Sequence, residues 1–229
     1  MRNKTFISSM VGVAAAVSVA GSANAGVTID SFTNSTFDQE RTSYGSIFNS
    51  RSGSETSSSL TYEIDATTNR LKANTGANAI IVVEWLNYDA NGNNGPNINL
   101  SQLSTITFDV TSSAASKISF DIQQLNSLSS VIGGVRWSNV AIAAGSSSVT
   151  LTVGQNSGGT WTTRGTGLAA LSNVNVMFMS FGKTGTSSGI GAVSFDGSIG
   201  NLQYNLVPAP GAVALLGVAG LVGGRRRRA

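Results

Sequence analysis

Most acid–base and nucleophilic chemistry in proteins uses His or Cys, and this chain of 229 residues contains neither. That removes the side chain that titrates near neutrality, the thiolate nucleophile and the softer metal ligands together. Gly185-Thr186-Ser187-Ser188-Gly189 has the spacing of a nucleophile elbow. Such a serine needs an imidazole to take its proton, and the chain has none. Gly165-Thr166-Gly167 with Ala170 forms half of a dinucleotide fingerprint, but no strand–helix–strand unit surrounds it. Gly182-Lys183-Thr184 ends like a phosphate loop, with Met177 where the first glycine belongs. In a chain holding 27 glycines such matches are products of composition. No catalytic residue and no cofactor-binding residue is assigned.

Carboxylates and aromatic surfaces remain. Glycoside hydrolysis needs only two carboxyl groups across a sugar. Glu63, Glu84, Asp109 and Asp121 fall on predicted strands, at the polar positions of the alternation, and no pair stands out. Asp89-Ala90-Asn91-Gly92-Asn93-Asn94-Gly95 offers oxygen ligands as a calcium loop does. Its glycine falls one position late, and Leu100 occupies the place of the bidentate glutamate, so it reads as an Asn/Gly turn and no metal ligand is assigned. Trp85, Tyr88, Trp137 and Trp161 are the aromatics able to stack on sugar rings, although core packing is the commoner use of such rings. Trp85 sits in an apolar strand and reads as core. Trp161, between Gly158-Gly159-Thr160 and Thr162-Thr163, reads as the surface aromatic, with Trp137 and Tyr88 as further candidate glycan contacts.

The elements that must position these groups are strands. Leu60, Tyr62 and Ile64 alternate with polar residues, as do Ile106, Phe108 and Val110, and then Ile118, Phe120 and Ile122. Ala79–Leu86 is apolar on both faces and reads as a central strand. Val27–Phe32, Val131–Trp137, Ser148–Val153, Asn173–Phe181, Ala192–Phe195 and Ser198–Tyr204 continue a series of about ten short strands. Thr42–Ser59 lacks periodicity and reads as a long loop or weak edge, and Gly167–Leu171 is the one helical stretch in the body. The expected class is all-β, a two-sheet antiparallel sandwich of jelly-roll type over residues 26–206. Leu100–Val110 is similar to a stretch common in jelly-roll, carbohydrate-binding-like domains.

The ends carry addresses. Arg2 and Lys4, the apolar run Ile7–Val19 and the small-x-small site Ala23-Asn24-Ala25 give residues 1–25 the layout of a secretory signal peptide, a signal helix cleaved after Ala25. At the other end, residues 207–229 run from Val207-Pro208-Ala209-Pro210-Gly211 through the apolar Ala212–Val222 to Arg225, Arg226, Arg227 and Arg228. The run is short for a bilayer core of ~30 Å, and four arginines would hold its end on the cytoplasmic side. Six of the 14 Lys/Arg lie in these two segments, leaving eight against 11 Asp/Glu in the body. The overall charge of +3 therefore does not describe a basic domain, and nucleic acid is excluded as a partner. The absence of cysteine means that core burial alone must hold an exported body together.

Val207-Pro208-Ala209-Pro210-Gly211, the hydrophobic helix that follows and the terminal arginines resemble the PEP-CTERM sorting signal, with Ala209 standing where that family usually has Glu. The resemblance covers the tail only. It implies export in a bacterium that makes extracellular polysaccharide, transient anchoring in the inner membrane, and recognition near Pro208–Gly211 by an exosortase-type transpeptidase, with signal peptidase acting at the other end. Together these readings describe a non-enzymatic protein of the bacterial envelope or extracellular matrix. The alternative is a carbohydrate-binding module that holds exopolysaccharide, and the third reading is a secreted glycosidase. Glycan binding requires an aromatic platform on a sheet face or its loops. Hydrolysis requires two carboxyl groups about 5–10 Å apart in a cleft.

Overall fold

The computed structural model describes residues 26–33, 50–55, 61–75, 80–86, 97–126, 130–182 and 194–207. Residues 1–25, with Ala23 and Ala25, the tail after Val207, with Pro208–Gly211 and Arg225–Arg228, and Tyr88 lie outside them, as do the Asp89–Gly95 turn and the Gly185–Gly189 motif. Among the described residues the strands are β1 (Val27–Asp30), β2 (Ser50–Glu55), β3 (Thr61–Asp65), β4 (Arg70–Asn74), β5 (Ile80–Leu86) and β6 (Leu103–Ser112). They continue as β7 (Ser116–Leu125), β8 (Val131–Ile142), β9 (Gly145–Thr152), β10 (Thr160–Gly165), β11 (Val176–Gly182) and β12 (Asp196–Leu206), with a 3₁₀ segment at Gly167–Asn173.

These strands form two six-stranded sheets. The first has the order β3-β4-β12-β6-β9, with β1 also on β12, and the second has the order β10-β8-β7-β11-β5-β2. Every named strand pairing is antiparallel. The expected all-β, two-sheet antiparallel sandwich is the fold observed.

Alternation builds the core. Phe108 and Val110 of the first sheet and Ile118, Phe120 and Ile122 of the second belong to one buried cluster, which Trp85, Trp137, Met179 and Phe181 complete. Two bulges break the alternation without spoiling it. On β12 the inward positions pass from Ile199 to Leu202 and Tyr204, and the change of parity is absorbed where the register shifts between Gly200 and Gln203. Asn201 adopts φ 52 there, a conformation that Asn tolerates better than most residues. On β8 the same switch, from Val135 and Trp137 to Val140 and Ile142, turns on Asn139 at φ 58.

Both fully buried indoles are satisfied, as buried polar groups must be. Trp85 Nε1 donates across the sandwich to Asp30 Oδ2 at 2.8 Å, and Asp30 Oδ1 accepts the Phe32 backbone N–H at 2.7 Å. Trp137 Nε1 donates to the carbonyls of Thr152 and Gln155 at 3.2 and 3.1 Å. The 3₁₀ segment caps one end of the sandwich, with Leu171 in the core and its carbonyl accepting Leu100 N–H at 2.6 Å.

Four expectations need correction. β4 is a strand that no apolar run announces, being short, whereas β2, inside Thr42–Ser59, is an edge strand, the second of the two readings of that stretch. β8 extends five residues past Trp137, because its bulge hides the alternation. Ser194 and Phe195 are not a strand: they lead into β12, Phe195 tied to Thr75 through backbone and hydroxyl bonds of 2.8 Å and the Ser194 carbonyl accepting Ser116 Oγ–H at 2.8 Å. Trp161 lies in β10, a strand absent from the expected series.

Candidate functional site

Inward packing of Ile118, Phe120, Ile122, Val135, Trp137, Met177, Met179, Ile81, Val83 and Trp85 forces their strand neighbours onto the outer face of the second sheet. The register then sets those neighbours in rows. Thr162, Arg136, Asp121, Phe178 and Glu84 stand opposite one another across β10, β8, β7, β11 and β5. The next row holds Arg164, Gly134, Gln123, Val176 and Leu86.

The middle of this face is sealed more tightly than an ordinary solvated sheet. Asp121 is 0% and Gln123 1% exposed. Arg136 Nε donates to both carboxylate oxygens of Asp121, at 2.6 and 2.8 Å, and Gln123 Nε2 donates to Oδ1 at 3.2 Å. Burial disfavours the charged carboxyl and pushes the Asp121 pKa up, while the positive charges of Arg136 and Arg164 pull against it. One guanidinium N–H shared between two oxygens is a weaker clamp than a two-pronged fork, so desolvation prevails. Arg164 acts on this carboxylate through its charge alone, and Gly134, between them in the register, has no room for a Cβ, which would collide with the Ile122 carbonyl and Gln123. Phe178 is half-buried, with Asp121 on one side of it and Glu84 on the other.

The four sequence-level carboxylates divide between the sheets. Glu63 and Asp109 face outward on the first sheet, and Asp121 and Glu84 on the second. The latter two stand two strands apart, roughly 10 Å between backbones. Asp121 has both oxygens on Arg136, so the two are not a free carboxyl pair around a water.

The aromatic candidates separate just as clearly. Trp137 is 0% exposed and bonded through its indole, so it offers no face to a ligand; its position opposite Trp161 on the inner side of β8 buries it. Trp161 is half-buried, edge-on to Trp137 with ring centroids 4.7 Å apart, and it belongs to the margin of the core. Val207 is 50% exposed and extends β12, its N–H bonded to the Gln102 carbonyl at 2.7 Å. Phe178, Arg136 and Arg164 were missed by sequence reasoning; the signal for Phe178 was its polar-phase position between Met177 and Met179.

No protein-family profile matches the chain, and no curated protein matches it. Among solved structures the chain is similar to the family 11 carbohydrate-binding module of the cellulosomal cellulase Lic26A-Cel5E of Clostridium thermocellum, at 10% identity and TM-score 0.41, over 76% of this chain and 95% of that one. A family 11 module from Clostridium thermocellum in complex with a β-1,3-1,4-mixed-linked tetrasaccharide is similar at 11% identity and TM-score 0.37, over 67% and 82%. A sialidase is similar at 12% identity and TM-score 0.36, over 79% of this chain and 19% of its own.

Proposed function

We propose that this protein is an exported, non-catalytic β-sandwich of jelly-roll type that holds polysaccharide on the outer face of its second sheet. The observation that supports this is the row Thr162, Arg136, Asp121, Phe178 and Glu84. A half-buried ring beside an Arg136 guanidinium that Asp121 holds in place matches what a sugar ring needs: an apolar surface for its C–H face and a fixed donor for its hydroxyls. The signal peptide and the tail at Val207–Gly211 give such a body its address, the bacterial envelope or matrix, through signal peptidase and an exosortase-type transpeptidase. Intact mass of the protein from the native envelope and medium tests that address: the expected species begins at Gly26 and ends near Pro208–Gly211.

The binding itself is tested by electrophoresis of the full chain through native gels containing neutral or acidic polysaccharide. Retardation by at least one polymer is expected, with Phe178→Ala weakening it about tenfold while leaving near-UV circular dichroism unchanged, as loss of a stacking ring would. Retardation that Phe178→Ala leaves intact, or none by any polymer, would sink the reading and favour a structural role without a glycan ligand.

A further inference from the structure

The first sheet has an opening of its own, at the place where its edge changes hands. β12 pairs with β4 over Asp196–Gly200 and then, on the same side, with β1 at Leu202–Tyr204. Between the two the bulge at Asn201 intervenes, and neither strand's pairing reaches Asn201. The gap is a cavity of about 380 Å³ bordered by Thr28, Asp30, Asn69, Arg70, Asp109 and Asn201, the Asp30 carboxylate being 0% exposed and already accepting from Trp85 Nε1 and the Phe32 N–H. Sites for small organic ligands begin at roughly 300 Å³.

Its polar groups are fixed but not used up. Arg70 donates through Nε to Ser198 Oγ at 2.7 Å, and through Nη2 to the Ser198 carbonyl at 3.1 Å and Thr111 Oγ1 at 3.3 Å. Nη1 has no such bond among the described residues and lies beside Gly200, where an added Cβ would come within 3.2 Å of it. Asp109 Oδ2 accepts Asn201 Nδ2 at 3.4 Å, and Asn201 in turn accepts from Gln203. Asp109 Oδ1 and the Asn69 side chain make no hydrogen bond among the described residues, and no ion pair joins Arg70 to Asp109. Asn69 is held at φ 55 on the rim.

A guanidinium and a carboxylate that border one cavity without pairing select its occupant. A cation at Asp109 would face Arg70, and a bare anion at Arg70 would face Asp109. A neutral ligand with donor and acceptor side by side satisfies both, and adjacent hydroxyl groups on a ring are such a ligand. We infer that this gap between β1 and β4 is a second binding site, which takes a single sugar residue or similar polyol through neighbouring hydroxyls bound by Asp109, Asn69 and Arg70 Nη1. It goes beyond the polysaccharide reading and does not require it, since no residue is shared with the Phe178 row.

Saturation-transfer NMR and calorimetric titration of the full chain test the inference, with free monosaccharides, short oligosaccharides, calcium and inorganic phosphate as probes. The expected result is saturable binding of at least one monosaccharide, or of an oligosaccharide through its terminal residue. Asp109→Ala and Asn69→Gly should each weaken it about tenfold, and Phe178→Ala should leave it unchanged. Asn69→Gly keeps the backbone at home in its left-handed conformation, so it reports on the amide and not on folding. Binding of calcium or phosphate alone, no sugar binding, or sugar binding that neither variant weakens would overturn the proposal. Oligosaccharide binding lost in Phe178→Ala but kept in Asp109→Ala would overturn it too, and would leave the second-sheet reading standing.

Discussion

On the outer face of the first sheet the polar side chains meet in water-facing pairs. Lys72 Nζ lies 2.8 Å from Asp65 and 3.7 Å from Glu63, Thr111 Oγ1 lies 3.0 Å from Ser146 Oγ, and Asn205 Nδ2 lies 2.9 Å from Thr105 Oγ1. On the second sheet the same alternation places Asp121 and Gln123 out of contact with solvent, with Arg136 bonded to the carboxylate and a phenyl ring beside it. An exposed pair can swap each partner for water at little cost, whereas a sealed pair cannot lose one member without stranding the other. The first face is therefore a solvated surface interrupted by a gap, and the second is a preorganised one.

Arg136→Ala should expose the difference most sharply. It leaves the Asp121 carboxylate buried without its partner, and a loss of about 3–5 kcal/mol in urea unfolding is expected, most of it recovered in the double variant with Asp121→Asn. A single-variant loss below about 1 kcal/mol would mean that the second face is as solvated as the first.

A smaller effect separates the faces by pH. The raised Asp121 pKa means that the folded state binds this proton more readily than the unfolded state. Its contribution to stability is full below the unfolded value near 3.9 and is lost as pH rises through the raised folded value. Asp65 behaves oppositely: hydrogen bonds from Lys72 and Thr68 hold its carboxyl below the usual range, so its contribution is present above about 3.9 and lost as pH falls. Between pH 4 and 7, Asp121→Asn should therefore gain stability with pH more steeply than the parent chain. A shallower slope in that variant would reverse the assignment.

Lys72→Ala should have the smallest effect. Its ammonium serves an exposed cluster, and the unfolding midpoint at neutral pH should stay within measurement error while the acid-side loss attributed to Asp65 shrinks, because its folded pKa returns toward the unfolded value. A clear drop at neutral pH would show that the first face also depends on its ion pairs.

Much of the fold could be read from the chain because burial leaves a period-two record in β6 and β7 and an apolar run in β11. The record fails where the register itself changes, as at Asn139 and Asn201, and at short or edge strands such as β4, β2 and β10, which have little apolar face to display. The candidate site was less legible. Tryptophan content drew attention to Trp137 and Trp161, yet both pack against each other on the inner side of β8 and β10. Phe178 is the ring that the register places on the outer face, because it is out of phase with Met177 and Met179.

By itself the sequence determined that the described body is built from strands, that His and Cys chemistry is closed to it, and that Asp109 and Asp121 both stand at outward positions of alternating strands. Only the tertiary structure decided that Asp121 is sealed beneath Arg136, and that Asp109 borders a gap formed by β1 and β4, two segments some forty residues apart in the chain. Alternation fixes the side of its own strand that a residue faces; which strand lies alongside, and what covers that side, is set by pairings between distant segments.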